Sequence, residues 1–160
     1  MTIQDPYLDA SVPWRKGNLH AHTTMSDGKR TPQELVDQYS ARGYDFLMIS
    51  DHDMITETSA LDSRGMTFIP GNEVTINGPH ILHAGAKTVV TPDADRQRVL
   101  DAVRADGAFA VMAHPNWERH FNHCPQEKLE AWQGFLGIEI YNGLVRAHPG
   151  SPLATDRWDM

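Results

Sequence analysis

The stretch FLMISDH, residues 46–52, decides how the fold of this chain is interpreted. Its first four residues form a short, continuous apolar run, which is typical of a parallel β-strand covered on both faces. Ser50, Asp51 and His52 follow the run directly. In α/β sheets and barrels, the residues just after parallel strands line the rim where active sites are built. The stretch therefore predicts a buried strand that delivers Asp51 and His52 to a functional rim.

Apolar runs and helical patterns alternate on both sides of this strand. An earlier run ends at Leu19, and the segment after it predicts a helix with Thr31 as N-cap, Glu34 completing a capping box and Gly43 as the stop. Thr91 predicts the N-cap of a second helix. That helix ends at Gly107, and a third helix spans about 126–132. Further strands are predicted at 66–70, 81–86, 109–112 and 138–141. This order predicts an α/β sheet or barrel with parallel strands.

Length and composition narrow the class of protein. A chain of 160 residues with 40% hydrophobic residues fits one domain, residues 1–160. We find no signal peptide and no run near the roughly 20 apolar residues of a membrane span, so we expect no membrane association. Cys124 is the only cysteine, which suits a cytoplasmic protein. A net charge of −7 argues against a surface that tracks nucleic acid, although bound cations would weaken that argument. The oligomeric state stays open.

Polar residues with ligand chemistry cluster where predicted strands end. The residues at or just past such ends are His20, His22, Asp51, His52, Glu73, His114 and Asn142. His80 is the exception, since it stands at the start of its strand, which could run antiparallel. One residue at a strand end could be chance, but seven on one rim indicate a shared pocket.

The pair His20 and His22 is the clearest metal signal. One residue separates the two imidazoles, so on an extended chain both point to the same face and can chelate one ion. Asp27 adds a carboxylate in the following loop, and His52 adds an imidazole at the next strand end. Mixed imidazole and carboxylate ligation suits zinc, iron or manganese. For any single histidine, a rim residue without metal is an equal alternative, but that alternative weakens for the whole set.

Later residues extend this set toward two or three ions. Glu73 can bridge two ions because each carboxylate oxygen can bind one. His80 and His83 lie three apart, so on a strand they face opposite sides, and we prefer His80 as the ligand. His114, before Pro115, is a further ligand. Such ions would lower the pKa of a shared water and supply a hydroxide nucleophile. The chain has no serine-hydrolase elbow, nucleotide-cradling Gly-Lys loop or dinucleotide fingerprint.

The loop at residues 116–124 allows two interpretations. His120, His123 and Cys124 could imitate a small zinc site, but a lone cysteine disfavours a structural zinc finger. We interpret the loop as a lid or specificity loop. Three further side chains are candidate contacts for a substrate phosphate, with solvated surface positions as the alternative: Arg119, Arg146 and His148.

Seven segments resemble, in order, the motifs of the PHP (polymerase and histidinol phosphatase) superfamily. They are residues 20–23, 26–28, 32–35, 49–53, 71–73, 113–115 and 139–143. The resemblance covers about residues 17–143 and implies a distorted seven-stranded β/α barrel with a trinuclear metal cluster that hydrolyses phosphoesters. It implies three ligand sets: His20 and His22 with Glu73 bridging, His80 with His114, and Asp27 with His52.

One part of the family pattern has no counterpart in this chain. The pattern ends with a strand that carries Asp-x-His, and the 160 residues end without it, so the resemblance implies a PHP domain and barrel incomplete at the C-terminus. Residues 153–160 resemble the start of the preceding helix. We expect a metal-dependent phosphoesterase in which a metal-bound hydroxide attacks a small phosphorylated metabolite or nucleotide, with catalytic roles for Glu73, His114 and Asp51. The alternatives are an amide, ester or carbamate hydrolase and a non-catalytic metal-binding module.

Overall fold

The first sheet contains three short parallel strands that carry the N-terminal part of the chain. The structure, a computed structural model, describes residues 12–118 and 122–158. Strands β1 (Gly17–Asn18), β2 (Phe46–Leu47) and β3 (Thr67–Phe68) pair in the order β1-β2-β3. All three lie in the segments that predicted them, although β1 consists of Gly17 and Asn18 rather than apolar residues, and the parallel pairing expected for the FLMISDH strand is confirmed.

The second sheet contains four strands and departs from the expected parallel arrangement. Strands β4 (Gly71–Val74), β5 (Ile81–Ala84), β6 (Phe109–Met112) and β7 (Phe135–Ile138) pair in that order. The β4–β5 and β5–β6 pairs are antiparallel, and only β6–β7 is parallel. The general expectation of parallel strands is therefore wrong here. The connection between β4 and β5 is a short hairpin, which is too short for the crossover that a parallel pair requires.

Helix α1 (Pro32–Ser40) connects β1 to β2 and begins as predicted. The Thr31 side chain accepts from the backbone N–H of Glu34, and the Glu34 carboxylate accepts from the Thr31 N–H at 2.9 Å, which completes the capping box. Leu35 and Val36 bury one face. Gly43, at φ 70°, adopts the left-handed conformation that ends the helical segment.

Helix α2 (Arg96–Ala105) begins later than predicted. Its N-cap is Asp95, whose carboxylate accepts from the Gln97 N–H at 3.1 Å, so Thr91 as N-cap is wrong. An aspartate is a strong cap, and it leaves the segment from Thr91 outside the helix. The predicted apolar face is confirmed by the buried side chains Val99, Leu100 and Val103. The remaining helices are α3 (Gln126–Ala131) and α4 (Thr155–Trp158), with a 3-10 turn at Leu144–Ala147.

The two sheets meet where the predicted site residues lie. His52 and Glu73 form an isolated parallel bridge, and the Asp53 N–H donates to the Glu73 carbonyl at 2.8 Å. One core packs α1 under β2, and the largest core packs α2 against the second sheet. Within the described residues, the strands form two sheets of a mixed α/β fold, and they do not close into a barrel. No helix of this part of the chain is long and apolar enough to cross a membrane.

Candidate metal centre

Glu73, on β4, is the centre of the candidate site. Its side chain is 1% exposed, and both carboxylate oxygens face histidine nitrogens. The shortest contacts run from Oε1 to His114 Nε2 at 3.0 Å and from Oε2 to His52 Nδ1 at 3.1 Å. The histidines that lie within 3.4 Å of this carboxylate are His20, His22, His52, His80 and His114. The residue predicted to bridge two ions is therefore placed to do so.

The carboxylate of Glu73 and the imidazoles around it shift one another's pKa values. Burial raises the pKa of Glu73, but hydrogen bonds from His114, His20, His52 and His80 outweigh burial and hold it well below its usual range. Burial lowers the pKa of His20, but hydrogen bonds to Glu139 and Glu73 more than offset this and raise it to about 10. The raised pKa of His20 thus favours a protonated imidazole beside Glu73 when no metal is bound.

The ligand atoms fall into three groups, in each of which the atoms lie within 4.8 Å of one another. The groups are His20, His22 and Glu73, then His22, Asp27 and His52, and lastly His80, His114 and His123. The structure thus brings together all seven residues predicted as metal ligands. It also shares His22 between two groups and adds His123 to the third.

Several buried atoms in this cluster have no hydrogen-bond partner. His20 Nε2 and His22 Nε2 face each other at 3.1 Å, an arrangement that needs a proton or a cation between two lone pairs. Among the described residues, the buried atoms that make no hydrogen bond of good geometry are His22 Nδ1, His52 Nδ1, Glu73 Oε2 and His114 Nδ1, although His52 Nδ1 lies 3.1 Å from Glu73 Oε2. Since buried polar atoms are normally satisfied, such atoms on imidazoles and a carboxylate fit divalent ions of the zinc, manganese or iron type.

Asp51 lies behind the cluster and holds the loop that contains Thr23, Ser26 and Asp27. Its buried carboxylate accepts from the Thr23 N–H at 2.7 Å and from the hydroxyls of Thr23, Ser26 and Thr56. Burial raises the pKa of Asp51, but these hydrogen bonds lower it by more. Its oxygens are thus engaged by the protein, and Asp51 belongs to none of the three ligand groups. The predicted catalytic role stays a prediction, and the contacts indicate that Asp51 positions the loop.

That loop presents Asp27 to solvent and to His52. The Asp27 side chain is 65% exposed, and its Oδ1 lies 3.3 Å from His52 Nε2. The turn depends on Gly28, whose N–H donates to the Thr23 carbonyl at 2.8 Å. A Cβ at this position would lie 2.3 Å from the His22 carbonyl oxygen, so the tight turn requires glycine.

The choice between His80 and His83 follows from their opposite sides of the second sheet. His80 Nδ1 lies 3.1 Å from Glu73 Oε1, inside the cluster. His83 is fully buried on the other side, with Nε2 3.2 Å from Asp106 Oδ2. The preference for His80 therefore agrees with the placement. His114 reaches Glu73 from a backbone at φ 26°, a conformation that is unfavourable for a residue with a side chain.

Two residues of the site were not predicted as its members: Glu139 was missed, and His123 was considered only for a small zinc site in the loop at residues 116–124. Glu139, just after β7, places Oε1 3.0 Å from His20 Nδ1, and its Oε2 accepts from the His114 N–H at 2.8 Å. His123 accepts from the His80 N–H at 3.0 Å through Nε2. The signal for Glu139 was its place in the 139–143 segment at a strand end. His123 is flanked by Cys124, whose thiol pKa burial raises to about 12, which disfavours a thiolate ligand.

The predicted substrate contacts are only partly placed. Arg119 lies outside the described residues. His148 is exposed, and its ring centroid lies 6.4 Å from that of Trp117, whose ring lies 5.1 Å from the His114 ring. Arg146 is exposed on the 3-10 turn. The structure thus places His148 at the edge of the cluster, and all three substrate roles stay predictions.

Curated proteins with similar sequences are named for nucleotide chemistry. The chain is 37% identical over 71 residues to a 3′,5′-nucleoside bisphosphate phosphatase of Chromobacterium violaceum, covering 41% of this chain and 25% of that protein. It is 37% identical over 76 residues to a 5′-3′ exoribonuclease of Haemophilus influenzae, covering 42% and 28%. It is 27% identical over 139 residues to the 5′-3′ exoribonuclease Rnm of Salmonella typhimurium, covering 82% and 45%. The chain thus matches between a quarter and half of the length of these relatives.

Two solved structures share the fold. One, from Bacteroides vulgatus, is a two-domain protein containing a predicted PHP-like metal-dependent phosphoesterase, with TM-score 0.64 and 23% identity over 81% of this chain and 45% of that one. The other, from Bifidobacterium adolescentis, is provisionally named a metal-dependent phosphoesterase, with TM-score 0.63 and 19% identity over 92% and 82%. No family model matches the chain. The chain has the fold of PHP-like metal-dependent phosphoesterases, which agrees with the resemblance seen in its sequence.

Proposed function

We propose that the chain is the metal-binding part of a PHP-type hydrolase that cleaves phosphoesters of nucleotides or small phosphorylated metabolites. The proposal rests on the surroundings of Glu73, a buried residue whose two carboxylate oxygens face five histidines. Such a concentration of ligand atoms around one carboxylate is the usual construction of a multinuclear metal site. The PHP-like fold of two solved structures supports the same chemistry.

Each of two or three ions would be bound by one of the ligand groups. His20 and His22 would hold one ion together with Glu73, and His80 and His114 would hold a second. Asp27 and His52, with His22 shared, would hold a third. Divalent zinc, manganese or iron ions in these places would activate water and neutralise charge on a phosphoryl oxygen.

The protein's own residues prepare the site for an anionic substrate. Glu73 cancels part of the charge of several cations, which lets them sit close together in a buried place. Asp51 holds the Asp27 loop through three hydrogen bonds from Thr23 and Ser26, and it accepts a fourth from Thr56. His148 is a substrate candidate at the edge of the cluster, because the Trp117 ring lies between it and His114. We assign Glu73 and His114 to the catalytic machinery and Asp51 to its support.

The names of the relatives favour a nucleotide as substrate. One is a nucleoside bisphosphate phosphatase and two are exoribonucleases. The net charge of −7 favours a small nucleotide or a chain end over a long nucleic-acid surface. We place this activity in the cytoplasm, where a single unpaired thiol is normal.

The test is a substrate panel with the protein encoded by the complete reading frame that contains this chain. The panel contains adenosine 3′,5′-bisphosphate, a 5′-mononucleotide, a short 5′-phosphorylated oligoribonucleotide, a carboxylic ester and a carbamate. Manganese, zinc or iron(II) is supplied after removal of bound metal. We expect cleavage of at least one nucleotide phosphoester, lost with chelator and restored by metal.

Two results would overturn this proposal. Turnover confined to the ester or carbamate would assign the site to the other hydrolase class. Stoichiometric metal binding with no turnover of any substrate would assign a non-catalytic metal-binding module.

A further inference from the structure

We propose that Glu139 is a positioning residue that holds His20 and His114, the ligands of two different ions, in their binding form at the same time. The inference rests on the metal centre of the proposed function. Glu139 follows β7 directly, and its side chain is 15% exposed. It lies behind the ligands and touches neither of the Glu73 oxygens among the described contacts, so its action passes through the two histidines.

The Glu139 carboxylate connects two distant parts of the chain. Its Oε1 lies 3.0 Å from His20 Nδ1, and its Oε2 accepts from the His114 N–H at 2.8 Å. Asn142 donates to both oxygens from Nδ2 at 3.1 Å. Asn142 is itself held, because its Oδ1 accepts from the Leu144 N–H at 3.0 Å. The carboxylate is therefore fixed in orientation as well as in place.

On the His20 side, the contact selects which nitrogen is free to bind a metal. A proton on Nδ1 donates to the Glu139 carboxylate, which leaves Nε2 facing Glu73 Oε1 at 3.4 Å and His22 Nε2 at 3.1 Å. Carboxylates commonly orient metal-binding histidines in this way and make them more basic.

On the His114 side, the contact stabilises an unfavourable backbone. His114 has φ 26°, a value that few residues with a Cβ adopt. In this conformation its Nε2 lies 3.0 Å from Glu73 Oε1. A charged acceptor on the backbone N–H compensates for the strain. Without it, the chain at His114 is expected to relax and withdraw the imidazole.

Only a carboxylate satisfies both sides. His20 Nδ1–H and the His114 N–H are both donors, and Asn142 Nδ2 is a donor to both oxygens. Glutamine has the same size but only one oxygen. Its amide nitrogen would either face the His114 N–H, donor against donor, or face His20 and favour the tautomer with the proton on Nε2. Glu139→Gln is therefore expected to weaken one ligand or the other.

The experiment measures metal binding, with no need for turnover. We compare wild type, Glu139→Gln and the control Glu130→Gln, which makes the same change at an exposed position of α3. Calorimetric titration with Mn²⁺ gives affinity and stoichiometry, and the visible spectrum of the Co²⁺ form gives ligand geometry. We expect Glu139→Gln to bind about 10- to 100-fold more weakly with an altered cobalt spectrum, and the control to match wild type. An unchanged affinity and spectrum in a folded Glu139→Gln protein would overturn the inference.

A second variant covers the case in which Glu139→Gln does not fold. Asn142→Ala keeps the carboxylate but removes the donor that orients it, so we expect a smaller, severalfold loss of affinity. Wild-type affinity in that variant would overturn the inference. Metal binding by wild type without turnover contradicts the proposed hydrolase but leaves this test intact. Absence of metal binding by wild type contradicts both proposals.

Discussion

Each sheet contributes some of the ligands of the candidate metal centre, and the two sheets hold their ligands in different ways. In the first sheet, the ligands follow strands of only two residues, and the loop with Asp27 is held by hydrogen bonds to Asp51. In the second sheet, Glu73 and His114 lie on or after four-residue strands backed by the largest apolar core. The loop beside the first sheet thus depends on one polar side chain. In the second sheet, packing stabilises the strands, and Glu139 holds the His114 backbone.

This difference predicts an unequal set of ion sites. Asp27 is 65% exposed, whereas Glu73 is 1% exposed. Water and salt screen charges at an exposed carboxylate, so the ion held by Asp27 and His52 is expected to bind more weakly than those at Glu73. Glu73 itself joins the sheets, because it bridges to His52 and pairs with β5. The comparison can be tested first at that junction.

Glu73→Gln is expected to have the largest effect. The amide keeps the shape but removes the charge that the surrounding histidines and ions share, so at least one ion is lost. We expect activity to fall about 10³-fold or more, equivalent to about 4 kcal/mol. Metal content and turnover of the best substrate measure the change, with Glu130→Gln as control. Full metal content in Glu73→Gln would show that the two sheets bind ions independently of their shared carboxylate.

Metal binding is expected to release protons and to weaken as the pH falls. His20 has a pKa of about 10 in the metal-free protein, so at neutral pH its Nε2 must lose a proton before it binds an ion. For each proton released, affinity falls about tenfold per pH unit. Calorimetry in buffers of different ionisation enthalpy counts the protons. The absence of any proton release near pH 7 would contradict the assignment of His20.

The stability of the metal-free protein is expected to show the opposite dependence on pH. The pKa of His20 is raised from 6.5 to about 10 on folding, so its contribution is fully present below about pH 6.5 and is lost as the pH rises through 10. Chelator-treated protein should therefore lose stability between these values, and His20→Gln should reduce that loss. An equal loss in the variant would assign the effect to other groups.

The sequence predicted correctly those elements that form through residues close to one another in the sequence. The capping box of Thr31 and Glu34 and the apolar run at 46–49 are of this kind. Strand β4 was missed because Gly71, Asn72 and Glu73 resemble a turn, and Asn72 and Glu73 are polar. Both are nevertheless fully buried, since pairing with β5 and the bridge to His52 form the strand. That information is tertiary and lies outside any short window.

The candidate site shows the same division. The spacing of His20 and His22 identifies a chelating pair from three residues alone. Glu139 contacts His20 across 119 positions of sequence, and His123 contacts His80 across 43. Nothing in the local pattern shows that these residues meet. Residues that orient ligands therefore escape sequence reasoning more readily than the ligands themselves.

Asp51→Asn tests whether the loop with Asp27, beside the first sheet, depends on a single polar side chain. The amide has one acceptor oxygen where the carboxylate serves four donors, so buried donors lose partners at a cost of about 1–3 kcal/mol in unfolding free energy. Urea denaturation measures this. We also expect the ion at Asp27 and His52 to weaken more than the others. The control Asp101→Asn makes the same change at an exposed position of α2, and an equal loss there would contradict a special role for Asp51.

The smallest expected effects come from the helix caps, one beside each sheet. Thr31→Ala removes the capping box of α1, and Asp95→Ala removes the cap of α2, so each should lower the unfolding free energy by about 1 kcal/mol. Neither residue contacts a ligand, so metal affinity should not change. Because Glu73 ties the sheets together, both variants should shift one shared thermal transition of the metal-bound protein. If Thr31→Ala instead splits the transition into two, the first sheet unfolds separately from the second. The sheet whose ligand loop is held by polar contacts would then also be the less stable of the two.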